Sequence, residues 1–139
     1  MIKKKIGLDI GTVRIGIATS DILGMLSSAY ETYKRKNLYL DTRYIAGLAE
    51  KLDADTFVIG LPLKMDGSEG DSVKMVREFA DELSKLTTAE IVFQDERLST
   101  VSAERILIES NMRREKRKGV IDSLAAEIIL QNHLDKIKK

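Results

Sequence analysis

The hydrophobic period of the chain changes once, near Leu38, and that change constrains the fold more than any other feature. Before it, Lys5 to Asp9 and Arg14 to Ser20 are short runs rich in Ile and Leu, separated by Ile10-Gly11-Thr12-Val13. This pattern reads as two strands joined by a tight turn, and Ser28 to Tyr33, after the turn signal at Gly24, reads as a third. After it, Leu38, Ile45, Leu48, Ala49 and Leu52 share one helical face with charges between them. Their spacing predicts a helix over about 38–52.

Thr56-Phe57-Val58-Ile59-Gly60 is then a continuous apolar, β-branched run of the kind found in a strand buried on both faces. Leu61 to Asp71 holds the one proline and two glycines and reads as a loop. Val73, Val76, Phe79, Ala80 and Leu83 mark a second helix, and Glu90 to Asp95 a further strand. Ser99 or Thr100 is positioned to cap a third helix running to about Ser110, and a last helix is expected from about Val120 to Lys136. Three strands in a meander, then two that alternate with helices, imply an α/β fold. Its sheet is mixed and five-stranded, with three antiparallel N-terminal strands followed by βαβ units and helices packed on it.

A length of 139 residues with 43% hydrophobic composition suffices for one core, so a single domain over residues 1–139 is expected. Lys and Arg number 23 against 22 acids, a formal charge of +1, so any footprint for a polyanion must be local. Cysteine is absent, which excludes disulfides, thiolate nucleophiles and sulfur-built zinc sites. The basic start Met1-Ile2-Lys3-Lys4-Lys5 is followed by an apolar stretch broken by Gly7, Asp9, Gly11 and Arg14, which is no signal peptide. No apolar run approaches the roughly 18 to 20 residues that span a bilayer. A soluble, cytoplasmic protein is expected.

Three acidic positions stand out. Asp9 ends a strand otherwise made of Ile6, Leu8 and Ile10, where a turn aspartate beside Gly11 is the plain alternative. Asp95-Glu96 follows the strand Ile91 to Phe93 directly, at the carboxyl end where ligands collect in open α/β sheets. Successive strand residues point to opposite faces, so Asp95 and Glu96 are not both expected at one metal, and spacing alone does not choose between them. Asp122 lies near the start of the last helix among Ser123, Ala125 and Ala126, small residues that let a helix approach a sheet. Taken singly, each acid also suits a turn or a helix N-terminus. Taken together, in a chain without cysteine and with one histidine, they form an oxygen-donor set suited to Mg²⁺ or Mn²⁺. Two such ions about 3.5 to 4 Å apart activate water and stabilise the leaving oxygen of a phosphodiester, with no histidine required.

Four segments carry a family resemblance: Gly7-Leu8-Asp9-Ile10-Gly11-Thr12 running on to Ser20-Asp21; Gly60-Leu61-Pro62 with Asp66-Gly67; Asp95-Glu96-Arg97-Leu98-Ser99-Thr100; and Asp122 with Ala125-Ala126 and Ile129-Leu130. In this order they resemble the YqgF/RuvX family of RNase H-like proteins, associated with processing of pre-16S rRNA and with Holliday junction resolution. The resemblance implies an RNase H-like fold, with metal held by Asp9, Glu96 and Asp122. It is the resemblance that favours Glu96 over Asp95. One departure is Ser27-Ser28-Ala29-Tyr30-Glu31-Thr32, where the family often has a proline; it bears on local strand geometry outside the proposed site.

Supporting residues follow. Thr12 and Arg14 lie just past Asp9, where a turn, a hydroxyl and a cation can meet a phosphate, against the alternative of a plain hairpin. Arg97 suits phosphate contact or the orientation of Glu96. Arg113, Arg114, Lys116, Arg117 and Lys118 face one acid, Glu115, in a stretch read as a loop leading into the last helix. Phosphate contacts of this kind supply affinity and register, although a solvated loop would look the same. Lys34-Arg35-Lys36 is a second basic cluster, and His133 in the last helix reads as structural or exposed. The expected function is metal-dependent phosphodiester hydrolysis, at the 5′ end of precursor 16S rRNA. Branched DNA and a non-catalytic RNA-binding or assembly role are the alternatives, and a homodimer is left open. Gly-x-Asp-x-Gly-Thr also resembles the first phosphate-binding loop of the actin, Hsp70 and sugar-kinase superfamily, which would imply an ATP-dependent phosphotransferase, but those proteins clasp nucleotide between two such domains, which this chain could supply only as a dimer.

Overall fold

The computed structural model describes residues 3–64, 66–95 and 114–137, and side chains for all of these except residues 114–122. The elements are β1 (Lys4–Ile10), β2 (Arg14–Ser20), β3 (Ser27–Lys34), α1 (Leu38–Lys51), β4 (Ala54–Leu61), α2 (Asp71–Ser84), β5 (Glu90–Asp95) and α3 (Arg114–Ile137). The five strands form one sheet in the order β3-β2-β1-β4-β5. β1, β2 and β3 pair antiparallel, whereas β1, β4 and β5 run parallel. The expected third helix lies outside the described residues.

Each boundary has a local cause. Gly11 closes the first hairpin by donating its N–H to the Arg14 carbonyl at 2.9 Å. A Cβ there would sit 2.8 Å from that same oxygen, so only glycine fits. Asn37 caps α1 by accepting the Leu40 N–H at 2.8 Å. Asp53, with φ of 54°, turns the chain from α1 into β4 in the left-handed region that aspartate tolerates better than most residues. The stretch that departs from the family pattern still forms β3, with a register shift opposite Ile17 and Ala18.

Both sheet faces are covered. Ile6, Leu8, Ile10, Ile15, Ile17, Phe57 and Ile59 pack against Ile45 and Leu48 of α1 and Val76, Phe79 and Leu83 of α2. On the other face Ala18 and Val58 meet Ala126, Ile129, Leu130 and Leu134 of α3. α3 lies antiparallel to β3, because Ser27 donates its N–H to Gln131 Oε1 and its hydroxyl to the Glu127 carbonyl while Ala29, two residues on, donates its N–H to the Glu127 carboxylate. β3 and β1 run the same way, so α3 is antiparallel to β1 as well.

The last helix starts earlier than its apolar pattern suggests. Residues 114–118, expected in a basic loop, are helical. Arg, Lys and Glu are good helix formers that need no apolar stripe, and Gly119 within the helix costs only about 1 kcal/mol relative to Ala.

Candidate active site

Asp9 takes its position from the alternation of β1. Ile6, Leu8 and Ile10 face α1 and α2, so Gly7 and Asp9 face α3. Asp9 pairs across the hairpin with Gly16 of β2. On its other side Leu8 pairs with Ile59 of β4, so the next residue of β4, Gly60, flanks Asp9. The residues directly beside this half-buried carboxylate on both neighbouring strands are thus glycines.

α3 brings the second acidic position to the same place. A Cβ on Gly7 would lie 2.7 Å from Leu130 Cβ and 2.8 Å from the Ala126 carbonyl oxygen, so the helix rests directly on β1. From Gly7 to Asp9 the strand advances about 7 Å, and an antiparallel helix covers that distance in about four residues. Position 122, one turn before Ala126, is therefore carried over Asp9 by the backbone alone. The neighbouring Ser123 is buried.

β5 separates its two candidate acids by face. Gln94 pairs with Gly60 and is buried, on the row that includes Asp9. Ile91 packs with the α1–α2 cluster and Arg77 of α2 lies over the Phe93 ring at 5.2 Å. Alternation therefore puts Asp95, exposed and paired with Leu61, on the α2 face, away from Asp9. Glu96, Arg97 and Arg113 lie outside the described residues, as do the side chains of Asp122, Arg114, Lys116, Arg117 and Lys118. The backbone places 114–118 in the first turns of α3, ahead of position 122. Among the described residues no three His, Asp or Glu groups come together.

Thr12 is exposed in the hairpin turn, and Arg14, half-buried at the start of β2, falls by alternation on the face of Asp9. A buried network that periodicity does not signal supports this turn. Arg35 donates from Nε to Asp41 at 2.8 Å and from Nη1 to the Gly11 carbonyl at 3.0 Å, while its backbone N–H bonds Val13 O at 2.9 Å. Asp41, fully buried, also accepts from the Tyr33 hydroxyl at 3.0 Å and the Lys36 N–H at 2.9 Å. Burial alone would push the Asp41 carboxyl up, but the Arg35, Lys36 and Tyr33 donors outweigh it and hold it below the usual range. A lone acid just after a run of Lys34-Arg35-Lys36 was the available signal for this pair. His133 lies far along α3 from position 122, half-buried, with burial and then Lys5 and Lys136 holding its pKa below the usual value.

Carboxylate oxygen is the donor type that suits a hard divalent cation. Asp9 presents one such oxygen pair from a strand bonded on both sides, beside two glycines. The family model described as RuvX, Holliday junction resolvase, matches residues 3–136. The chain belongs to the RuvX family. Among RuvX relatives, a protein of Halalkalibacterium halodurans carrying the name "Putative pre-16S rRNA nuclease" is 47% identical over 135 residues, 96% of each chain. A Halothermothrix orenii protein of the same name is 47% identical over 129 residues, 93% of this chain and 92% of the relative. The fold of this RuvX member also matches solved resolvases. RuvC of T. thermophilus in complex with Holliday junction substrate aligns with a TM-score of 0.61 over 98% of this chain and 96% of that one, at 9% identity. Fowlpox virus resolvase with its junction DNA aligns at 0.59 over 98% and 99%, at 11% identity. The RNase H-like fold is thus shared where sequence likeness has faded. No helix among the described residues is long and apolar enough to cross a membrane.

Proposed function

We propose that this chain is a single-domain, cytoplasmic nuclease that hydrolyses phosphodiester bonds at the 5′ end of precursor 16S rRNA, with Mg²⁺ or Mn²⁺ held by Asp9, Glu96 and Asp122. The observation that carries the proposal is the placement of Asp9 between Gly16 and Gly60, beneath the turn of α3 that bears position 122. Asp95 falling on the opposite sheet face favours its neighbour Glu96 as the β5 ligand. Bound cations of this class lower the pKa of water and stabilise charge on the leaving oxygen. The residues of the chain do the rest: the carboxylates would hold the cation at the sheet end, and Thr12, Arg14 and Arg97 would hold oxygens of the reacting and flanking phosphates. Arg113, Arg114, Lys116, Arg117 and Lys118 provide the positive approach along the start of α3. The relatives named for pre-16S rRNA support the choice of substrate.

Cleavage of branched DNA is the second reading, supported by the family description and by the fold shared with junction-bound resolvases. One experiment separates them. The purified protein, Asp9→Asn and Asp122→Asn are compared on precursor rRNA ends and four-way DNA junctions, with and without chelator. Cleavage of the rRNA by wild type alone, abolished by chelator, is expected. Unchanged cleavage in both variants sinks the site assignment, and binding without cleavage by wild type points to an assembly role.

A further inference from the structure

All four tyrosines of the chain lie on β3 and the first two turns of α1, a region the carboxylate site does not use. Helix α1 buries Asp41, Thr42, Ile45, Leu48 and Ala49. The opposite stripe continues from Lys36 through Tyr39, Arg43 and Tyr44, at the spacing of one helical face, and is exposed. Tyr39 is 62% exposed, and the Arg43 guanidinium lies 3.5 Å from its ring centroid. Tyr44 stacks on Tyr33 with centroids 4.4 Å apart and planes within 15°, and Lys36 lies 5.0 Å from the Tyr33 ring centroid. Tyr30 projects from β3 beside them, 39% exposed.

The charges around these rings are unbalanced. Among the described residues no ion pair engages Lys34, Lys36 or Arg43. The nearby Glu31 carboxylate accepts a hydrogen bond from the Tyr44 hydroxyl. Exposed rings interleaved with cations lacking counter-ions match a polyanion whose repeating units carry flat faces. An acidic protein surface would satisfy the charges and leave Tyr39 bare. Paired bases hide their faces in the helix stack, so duplex offers the rings nothing either.

The patch lies at the same end of the sheet as Asp9. Asp9 pairs with Gly16, which pairs with Thr32 of β3, about 10 Å away by two strand spacings. Arg14 pairs with Lys34, and the Arg35 N–H is bonded to Val13 of the hairpin turn. A strand leaving Asp9 over the Gly11–Arg14 turn thus meets Lys34 and Lys36, and then the first turn of α1.

We propose that Tyr39 and Arg43, with Lys34, Lys36, Tyr44 and Tyr30 around them, form a stacking platform for a single-stranded RNA segment flanking the cleaved phosphate. The proposal rests on the nuclease reading for its substrate but is tested by binding alone. The chain has no tryptophan, so tyrosine emission reports on this patch and nothing else.

The full-length protein is titrated, in chelator to prevent cleavage, with a short unstructured RNA oligonucleotide and with the same sequence as a blunt duplex. The single strand is expected to quench tyrosine emission and to bind at least about tenfold tighter than the duplex, as base–aromatic stacking requires. Tyr39→Ala is expected to weaken single-strand binding by roughly tenfold, whereas Tyr39→Phe, which keeps the ring, binds like wild type. Arg43→Ala lowers both affinity and its salt dependence. Equal binding of single strand by wild type, Tyr39→Ala and Arg43→Ala, with far-UV circular dichroism unchanged, overturns the platform. Cleavage of a substrate without single-stranded flanks is read in parallel. That activity depends on the carboxylates and not on Tyr39, so each proposal can fail without the other.

Discussion

Gly7 and Leu130 leave no room between them: a side chain on Gly7 would begin 2.7 Å from Leu130 Cβ. The Ala126 carbonyl, 2.8 Å from the same point, is backbone and cannot swing aside. Gly7→Ala must therefore lift α3 from β1. Overpacking of this kind costs about 1–3 kcal/mol, and the backbone clash puts this site at the upper end. Thermal unfolding measures that loss. Because the shift moves position 122 away from Asp9, cleavage should fall further than the unfolded fraction explains.

The two sheet faces predict opposite fates for Asp95 and Asp9. Asp95→Asn should leave metal-dependent cleavage of the same order as wild type, while Asp9→Asn removes it with the fold intact. Cleavage assays at saturating Mg²⁺ check both. Loss of activity in Asp95→Asn with Asp9→Asn still active would reverse the assignment of faces to function.

Asp41 is fully buried, and its Arg35 partner has a side chain only 14% exposed. Asp41→Asn leaves the guanidinium without its counter-charge, a loss of about 3–5 kcal/mol for a buried pair broken on one side. Denaturant unfolding reads it directly. The depressed Asp41 pKa makes a further point about acid: its stabilisation is complete above the ordinary carboxylate range and disappears as pH falls through the lowered value.

At the alkaline end Tyr44 behaves in the opposite sense. Burial and then the Glu31 carboxylate push its pKa from 10.0 up to about 12. The folded state holds this proton more tightly than the unfolded chain, so the contribution is whole below pH 10 and is lost as pH rises through 12. An ultraviolet absorbance titration should show two late-ionising tyrosines, because burial and the Asp41 carboxylate raise Tyr33 as well, and Glu31→Gln should move the Tyr44 midpoint down.

Much of the fold was legible in the sequence because its strands and helices differ in period. Val58 and Ile59 read as a strand buried on both faces, and one packs with α3 while the other packs with α1 and α2. The start of α3 was hidden because Arg114 to Lys118 carry no apolar stripe to betray a helix. In the sequence Asp41 is one of the charges between the apolar positions of α1. Its burial depends on Arg35 and Tyr33 arriving from β3, a tertiary event that no local pattern encodes. At the site, the register of β1 with β2 and β4 revealed what a motif does not: the residues flanking Asp9 are glycines. The tyrosine patch has no local signature for a related reason, since Tyr33 and Tyr44 are stacked by the packing of α1 on β3.

β1 is hydrogen-bonded to a strand on each side and covered by helices on both faces. Backbone amides in such a position exchange with solvent only when the whole molecule opens. Asp9 therefore belongs to the last segment to come apart, and local breathing cannot release it. A population of this protein under thermal stress should contain folded molecules and unfolded ones in changing ratio, with no folded species in which Asp9 has left its place between Gly16 and Gly60.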